Sequence, residues 1–387
     1  MSAHDLIPVP VAPGTADIPG LTAAMDGSGP ALLLVPPGPE GARMVAALGP
    51  AAAAGVPPGT AVVVSTSGST GTPKGVRIAA KALRHSARAT HDFLGGPGQW
   101  LLAMSAARIA GLQVVLRSRA AGTEPAVLDT ALGFRPDAFA AAVAGMRGER
   151  RYVSLVPTQL IRLLDADVDV TGLDAILLGG GPIPAGLVDR AAAVGARVVR
   201  TYGMTETCGG CVYDGRPLEK VGLRITDDGL VAIHGPVLAR GYLGGPDFGG
   251  EFVSSDLGRL EPDDDGAAVL TVLGRADDVI LSGGVNVPAQ SVEQVLAGHP
   301  SVSEVVVVGR PDPEWGQVVV AVVIPAGGTP CHLGELRDLV ADRLGRAWAP
   351  RDLVTVEAFP SLPSGKVDRD ALRALVARHS EDEEAQP

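Results

Sequence analysis

The stretch from Ser65 to Gly75 holds the densest group of residues able to bind an anion. It reads Ser-Thr-Ser-Gly-Ser-Thr-Gly-Thr-Pro-Lys-Gly and follows Ala61–Val64, a short apolar run typical of a buried strand. Its glycines let the backbone approach a ligand, its amides and hydroxyls are hydrogen-bond donors, and Lys74 adds a mobile cation. The central residues of the stretch are Ser67, Gly68, Ser69, Thr70, Gly71 and Thr72. We therefore expect a loop that binds phosphate groups.

Two other interpretations of this stretch are weaker. A Walker A loop has a Gly-Lys pair, whereas here Pro73 precedes Lys74. A flexible Ser/Gly linker would need neither Pro-Lys-Gly at its end nor a buried strand at its start.

Strands alternate with helical segments between residues 31 and 200, and this alternation predicts the element that positions the loop. The predicted strands are 31–35, 61–64, 100–104, 125–128, 152–156, 175–178 and 197–200. The predicted helices are 40–54, 81–94, 107–119, 136–146, 158–165 and 185–194. Residues 1–29 show no sustained period. The pattern indicates an α/β fold with a mostly parallel sheet, whose ligands bind outside the carboxyl ends of the strands.

The sequence changes in character after about residue 215 and again near residue 274. Short strands with tight Asp-Gly turns predict a β-rich subdomain between these points. The elements predicted beyond it are a helix at 289–297, strands at 304–308 and 318–324, and a helix at 333–344. We expect a large domain of residues 1–274 and a small α+β C-terminal domain of residues 275–387.

The composition of the 387 residues limits the classes of function. Hydrophobic residues make up 46%, but no apolar run approaches the roughly 20 residues of a membrane span, and the amino terminus does not resemble a secretory signal. The net charge is −11 and no Lys/Arg block is present, so neither a membrane nor nucleic acid is an expected partner. We expect a cytoplasmic protein.

Three cysteines are too few for a disulfide framework. Cys208 and Cys211 have the spacing of half a zinc site or of a redox pair, but no second pair completes a site. Neither role is favoured.

The motifs, taken together, resemble those of the adenylate-forming superfamily of acyl-CoA synthetases, luciferases and peptide-synthetase adenylation domains. The matching segments, in the order of that family, are Thr66–Gly75, Gly179–Gly181, Thr201–Thr207, Ser254–Gly258 and Pro360–Arg369. The resemblance covers residues from about 60 to 372. These enzymes usually carry a longer segment before the phosphate loop, so a shortened amino-terminal subdomain is implied.

Within the Thr201–Thr207 segment, the resemblance implies three roles in binding and reaction. Tyr202 would pack by the adenine, Thr205 would face the phosphate and Glu206 would bind Mg²⁺, a hard cation that prefers oxygen ligands. Taken alone, such a heptapeptide could be an ordinary strand end.

The remaining contacts to ATP would come from glycines and two charged residues. Gly179, Gly180 and Gly181 would lie along the adenine, while Asp256 and Arg275 would hold the ribose hydroxyls. Without the resemblance, each charged residue would pass for a surface side chain.

The resemblance also implies roles for the small domain. Asp277 would be the hinge about which it turns, and Lys366 would enter the site as the lysine of adenylation. Gly283 and Gly284 would line the tunnel for the pantetheine of CoA.

The implied activity is that of an AMP-forming acid–thiol ligase with ATP and CoA as co-substrates and Mg²⁺ as cofactor. A carboxylate attacks the α-phosphorus of ATP, giving acyl-adenylate and pyrophosphate, and a thiol then displaces AMP. Lys74, Lys366 and Mg²⁺ would offset the repulsion between an anion and a polyanion. The resemblance leaves a homo-oligomer open.

Among the subfamilies, the chain most resembles the o-succinylbenzoate–CoA ligases of menaquinone synthesis. The segments that carry this likeness are Ile109–Ser118, Leu177–Pro182 and Thr201–Cys208. Arg117 would recognise the second carboxylate of the acid, with Gly203 beside the acid; otherwise, Arg117 would extend to solvent. One departure is Arg108, where many relatives have histidine. The alternatives are a ligase for another aryl or fatty acid, an adenylation domain that loads a carrier protein, and a binding protein without activity.

Overall fold

The computed structural model describes residues 4–66, 73–131, 133–327, 329–360 and 367–384, with only the backbone of residues 50 and 380–384. The helices are α1 Leu21–Asp26, α2 Gly38–Ala53, α3 Ala80–Leu94, α4 Ile109–Ala120, α5 Pro136–Ala144, α6 Pro157–Asp165, α7 Leu187–Ala193, α8 Ala289–Leu296, α9 Leu333–Leu344 and α10 Arg369–Glu384. Short 3₁₀ turns lie at Thr205–Thr207, Ala276–Asp278 and Arg346–Trp348.

The strands form four sheets. In chain order they are β1 Leu6–Pro10, β2 Ala31–Val35, β3 Val62–Thr66, β4 Lys74–Ile78, β5 Gln99–Leu102, β6 Ala126–Val127, β7 Arg151–Leu155, β8 Ala175–Leu178, β9 Val198–Met204, β10 Gly209–Tyr213, β11 Arg216–Pro217, β12 Gly222–Ile225, β13 Leu230–His234, β14 Gly241–Tyr242, β15 Glu251–Pro262, β16 Ala268–Arg275, β17 Val279–Ser282, β18 Val285–Pro288, β19 Val302–Asp312, β20 Gly316–Pro325 and β21 Asp352–Thr355.

Two sheets build the larger part of the chain. The first has the order β1-β2-β3-β4-β14, with β1, β2 and β3 parallel and β4 and β14 antiparallel to their neighbours. The second has the order β11-β10-β9-β8-β7-β5-β6, in which the five strands from β9 to β6 are parallel. The predicted α/β fold with a mostly parallel sheet is confirmed, although the sequence did not indicate that the strands divide between two sheets.

Alternating side chains place helices on both faces of each sheet. Leu33 and Val63 of the first sheet face α2, whereas Leu32 and Val64 join a core that also contains α3 and α4. The second sheet contributes Trp100, among others, to this same core, and its opposite face packs on α5, α6 and α7. Helices α3 and α4 therefore lie between the two sheets.

The remaining two sheets follow in sequence. Strands β12, β13, β15 and β16 form an antiparallel sheet, in agreement with the predicted β-rich subdomain. Strands β17–β21 form the last sheet, which packs on α8 and α9 through one face and on α10 through the other. Within the described ranges, no helix combines the length and the apolar composition needed to cross a bilayer.

The predicted helices and strands from residue 31 to residue 200 all correspond to observed elements, most of them with shifted ends. Three observed elements in the first 80 residues were not predicted, namely β1 and α1 in the Pro/Gly-rich first 29 residues and β4 directly after the expected phosphate loop. The loop therefore joins two antiparallel strands before α3 begins, and does not lead straight from a strand into a helix.

Candidate active site

The β3–β4 hairpin holds the two ends of the expected phosphate loop. Ser65 pairs with Gly75, and Thr66 pairs with Lys74. Ser67, Gly68, Ser69, Thr70, Gly71 and Thr72, which the sequence predicts to bind phosphate, lie outside the described residues. The exposed Lys74 places its Nζ 5.4 Å from the centre of the Tyr242 ring, a cation–π contact.

Tyr242 connects this hairpin to Glu206. The Tyr242 hydroxyl donates a hydrogen bond of 2.8 Å to Glu206 Oε1, and the Glu206 side chain is buried. Burial, and then the neighbouring Glu206 carboxylate, raise the pKa of Tyr242, so the phenol keeps its proton. The described residues place no lysine or arginine within 4 Å of this carboxylate, which is left as an uncompensated anion beside the hairpin.

Arg77 fixes the position of Tyr242. Its buried guanidinium donates to the carbonyl oxygens of Tyr242 at 2.9 Å, Gly245 at 2.8 Å and Pro246 at 3.1 Å. Neither Arg77 nor Tyr242 is among the site residues predicted from the sequence. No local pattern marks Tyr242, because β14 is only two residues long and pairs with β4 across more than 160 positions of the chain.

Thr205, Glu206 and Thr207 form a 3₁₀ turn directly after β9. The hydroxyl of Thr207 accepts a hydrogen bond of 2.9 Å from the amide of Met204 and lies 2.8 Å from the carbonyl oxygen of Gly209, to which it can donate. Thr205 is buried beside Glu206. Gly203 lies in β9 where any Cβ would collide with the Gly209 carbonyl oxygen, so β9 and β10 approach closely here.

The Gly179–Gly181 segment follows β8 at the same edge of the second sheet. A Cβ on Gly179 would collide with Thr201 Oγ1, and Gly180 has φ +80°, which strains other residues. A Cβ on Gly181 would meet nothing within 4 Å. Gly180 and Gly181 leave room beside the backbone, as a flat ligand would require.

A second polar group lies around Tyr202 and Asp256. The Tyr202 hydroxyl donates a 2.8 Å hydrogen bond to Asp256 Oδ2, and the Asp256 amide donates to Ser254 Oγ at 3.1 Å. Burial, and then the Asp256 charge, raise the pKa of Tyr202. Arg275 pairs with Asp256 across β15 and β16, and its Nη1 lies 3.9 Å from Asp256 Oδ1.

Arg275 also binds Asp277, the residue expected to be the hinge. Arg275 donates through Nε and Nη2 to the two oxygens of Asp277, at 2.7 and 2.8 Å. These hydrogen bonds lower the pKa of Asp277. Arg275 thus lies between two carboxylates, with the tighter contact on the Asp277 side.

Arg117 lies in the core between the two large sheets, not at the surface. Its side chain is 3% exposed, which excludes the expectation that it extends to solvent. Its Nη2 donates to the Tyr213 hydroxyl at 3.2 Å, and its guanidinium carbon lies 4.8 Å from the Trp100 ring centre. Its Nε finds no hydrogen-bond partner among the residues that the structure describes. Burial lowers the pKa of Arg117. Burial and then this cation lower the pKa of the neighbouring His91 to about 4.

Arg108, the departure from the family pattern, lies at the other end of α4. It is the residue before the first turn, with Nη1 3.5 Å from the Ser65 carbonyl oxygen and Nη2 3.8 Å from a carboxylate oxygen of Glu40. Arg117 lies nine positions further along the chain, a helical rise of about 13.5 Å. Arg108 therefore borders the phosphate hairpin and is remote from the buried arginine.

Gly283 and Gly284 form the turn between β17 and β18. Gly283 has φ +57°, and a Cβ there would come within 2.6 Å of the Trp315 ring, so this turn packs directly on an indole. The Arg351 guanidinium also lies on Trp315, 3.6 Å from the ring centre. Lys366, the expected lysine of adenylation, lies outside the described residues.

The cysteine pair has the character of core residues. Cys208 and Cys211 are fully buried, and burial raises the pKa of both thiols, that of Cys211 to about 12. Among the described residues, no three His, Cys, Asp or Glu side chains cluster as a metal site.

Two groups of residues therefore meet along β9 and its turn. One contains Lys74, Tyr242, Thr205 and Glu206, and the other contains Tyr202, Asp256, Arg275 and Asp277. Together they offer a lysine, a carboxylate that has no cationic partner among the described residues, and hydrogen-bonding groups beside a glycine segment. Such a set suits a ligand that carries phosphates, a divalent cation and a sugar.

Comparison with known proteins agrees with this geometry. Residues 31–243 match the family of AMP-binding enzymes, and residues 291–366 match the C-terminal domain of AMP-binding enzymes. The chain is 46% identical over 374 residues to a probable 2-succinylbenzoate–CoA ligase of Mycobacterium tuberculosis, covering 94% of this chain and 96% of that protein.

Solved structures give the same result. The o-succinylbenzoate CoA synthetase of Bacillus subtilis in complex with its acyl-adenylate intermediate has a TM-score of 0.70 at 30% identity, covering 81% of this chain and 69% of that one. The same enzyme in complex with ATP and a magnesium ion has a TM-score of 0.69 at 29% identity, covering 81% and 70%. The chain belongs to the family of AMP-binding enzymes.

Proposed function

We propose that this chain is an ATP-dependent acid–CoA ligase that converts 2-succinylbenzoate, ATP and CoA into succinylbenzoyl-CoA, AMP and pyrophosphate. The observation that carries this proposal is the 46% identity, over nearly the whole of both chains, to a protein named as a probable ligase of that acid. Arg117 is buried and has no carboxylate partner among the described residues, so it would be a chemical counterpart for the second carboxylate of such a substrate.

Adenylation requires an anionic acid to approach a polyanion. Lys74 lies next to Tyr242 at the base of the hairpin and, with Lys366, would offset the charge on the phosphates. Glu206 fits a magnesium ion, because it is a carboxylate with no lysine or arginine within 4 Å among the described residues. A single protein carboxylate suits an ion that is otherwise coordinated by phosphates and water. The bound ion would neutralise charge on the phosphates. Thr205 would face the same phosphates.

The nucleoside would lie against the edge formed by β8 and β9. Gly179, Gly180 and Gly181 would allow the adenine to approach the backbone, with Tyr202 beside it. Asp256 and Arg275 would hold the ribose hydroxyls, and the 2.8 Å hydrogen bond from Tyr202 orients the Asp256 carboxylate for this contact.

The Asp256→Asn variant is expected to bind ATP more weakly, by about 1.5 to 3 kcal/mol, because it loses charge-assisted hydrogen bonds to the ribose. Titration calorimetry with ATP and magnesium measures this change. Tyr202→Phe, which leaves the carboxylate in place, should give a smaller loss. Unaltered ATP affinity in the Asp256→Asn variant would remove Asp256 from the nucleotide site.

We assign the acid to the space beside α4, with Gly203 next to it and Arg117 on its second carboxylate. A guanidinium suits this role, because its planar fork can bind a carboxylate through two hydrogen bonds. The unpartnered Nε and the neighbouring Trp100 and Tyr213 rings support an aromatic acid in preference to a simple fatty acid.

We further propose that the chain divides into a large domain of residues 1–274 and a small domain of residues 275–387 that turns about Asp277. This rotation would exchange Lys366 for the Gly283–Gly284 turn, along which the pantetheine of CoA would pass. The independent hydrophobic clusters around β17–β21 support a separate small domain. We expect the enzyme to act in the cytoplasm.

A panel of carboxylic acids assayed for AMP release with and without CoA tests the proposal. Succinylbenzoate should give the highest kcat/KM, and AMP release should depend on CoA. Preference for a monocarboxylic aryl or fatty acid would assign the chain to another ligase, and adenylate formation that ignores CoA would favour loading of a carrier protein. Absence of pyrophosphate exchange with every acid would rule out a ligase.

A further inference from the structure

The carbonyl oxygen of Cys208 receives hydrogen bonds from two different helices. Gln113 of α4 donates through Nε2 at 2.8 Å, and Ser86 of α3 donates through its hydroxyl at 3.3 Å. Both side chains are buried, 1% and 0% exposed. Two donors from separate helices on one carbonyl oxygen fix its position and direction.

The backbone at this point needs such support. Cys208 has φ +57°, a left-handed conformation that costs a residue with a Cβ about 1 kcal/mol or more, and it directly ends the Thr205–Thr207 turn. A residue in this conformation persists when its surroundings hold it there. The carbonyl that Gln113 and Ser86 bind belongs to Cys208, the residue that caps this turn two positions after Glu206.

A glutamine at position 113 lowers the stability of the fold relative to an apolar residue. It lies in α4 among Leu112, Val114 and Val115, all of which are buried, and its own Oε1 is buried with no hydrogen-bond partner in the part of the chain that the structure describes. A buried amide with an unsatisfied oxygen is less favourable than an apolar side chain of the same shape. The hydrogen bond to Cys208 is therefore the contact that accounts for a glutamine at this position.

We propose that Gln113 is a positioning residue that, with Ser86, holds the Thr205–Cys208 turn so that the Glu206 carboxylate stays directed at the magnesium ion of the nucleotide. This inference rests on the proposed function, in which Glu206 binds that ion. Tyr242 holds the Glu206 side chain at 2.8 Å, and the Ala239 amide donates to the Glu206 carbonyl oxygen at 2.8 Å. The hydrogen bond from Gln113 to the Cys208 carbonyl oxygen restrains the backbone at the C-terminal end of the turn.

The test is the dependence of ATP binding on magnesium, measured by calorimetry without acid so that no turnover occurs. Gln113→Met keeps the length of the side chain and removes the donor. It should raise the magnesium concentration at half-maximal binding about tenfold, within the range for a partner that orients a metal ligand. Ser86→Ala, a smaller change on the same carbonyl, should shift the midpoint in the same direction by less.

Gln99→Met is the control for general destabilisation. Gln99 also donates to a backbone carbonyl, that of Glu124 at 3.0 Å, but it lies at the start of β5, at the opposite end of the parallel strands from Glu206. This variant should leave the magnesium midpoint unchanged. An equal shift in Gln99→Met would show that general destabilisation is responsible, and would overturn the inference.

Combining Gln113→Met with Glu206→Gln decides whether one residue acts through the other. We expect Gln113→Met to add no further shift when Glu206 is already replaced. A full additional shift, or no shift from Gln113→Met in the natural background, would overturn the positioning role while leaving the proposed function intact. If Glu206→Gln itself leaves the midpoint unchanged, the proposed role of Glu206 fails, and the inference fails with it.

Discussion

Replacing Arg117 with lysine is expected to raise the KM for 2-succinylbenzoate by a factor of about 30 to several thousand, equivalent to about 2 to 5 kcal/mol, while the KM for ATP stays near its normal value. The guanidinium is 3% exposed, so its bond with a carboxylate would be shielded from water. Lysine keeps the charge, but it cannot bind a carboxylate through two parallel hydrogen bonds.

The same helix supplies a control for this experiment. Arg119 lies two residues further along α4 and is exposed, so Arg119→Lys should leave both KM values unaltered. Steady-state kinetics of both variants, with each substrate varied in turn, separate the two outcomes. An unaltered acid KM in Arg117→Lys would place the second carboxylate elsewhere, and would weaken the assignment to succinylbenzoate.

Replacing Lys366 with alanine is expected to slow adenylation by about 100-fold or more, the loss typical when one electrostatic contact to the developing charge is removed. Thioester formation from pre-formed acyl-adenylate should be nearly unaffected, because a lysine that serves only the first half-reaction is absent from the second. The described residues on either side are anchored. The Asp368 amide donates to the Pro360 carbonyl oxygen at 2.8 Å, and Arg369 donates to the Val307 carbonyl oxygen at 3.0 Å.

Single-turnover assays of each half-reaction measure this difference directly. The Lys74→Ala variant serves as a comparison, since Lys74 belongs to the β3–β4 hairpin and would not be exchanged by the proposed rotation. Equal losses in both half-reactions of Lys366→Ala would contradict a lysine that acts in one conformation alone.

Much of the fold could be predicted because the signal for each element is local. The buried runs of β7, β8 and β9 and the helices between them follow directly from apolar periodicity, and the glycine and Thr-Glu segments at their ends follow from position along the chain. The division into two sheets could not be predicted, since the same apolar run suits either sheet and only long-range pairing decides between them.

In the candidate site, too, residues in local motifs could be predicted, and residues that depend on long-range contacts could not. Glu206 and Asp256 stand in recognisable motifs. Arg77 and Tyr242 stand in none, and Gln113 lies in the recognisable Ile109–Ser118 segment, where nothing indicates its role. Each of the three acts through a partner more than 30 residues away in sequence. Tyr242 in particular could be assigned only once β14 was seen to pair with β4, which brings its hydroxyl to Glu206.

The buried Arg117 has a consequence for the thermodynamics of the empty enzyme. The described residues give this cation a phenol and an indole but no carboxylate, so desolvation of its charge opposes folding. An anionic ligand that enters this space supplies the missing counter-charge, and linkage then adds its binding free energy to the stability of the folded state. The free energy of unfolding of the protein without ligand is thus lower than its core would otherwise permit. The protein should therefore tolerate more destabilising mutations in cells that keep the acid abundant.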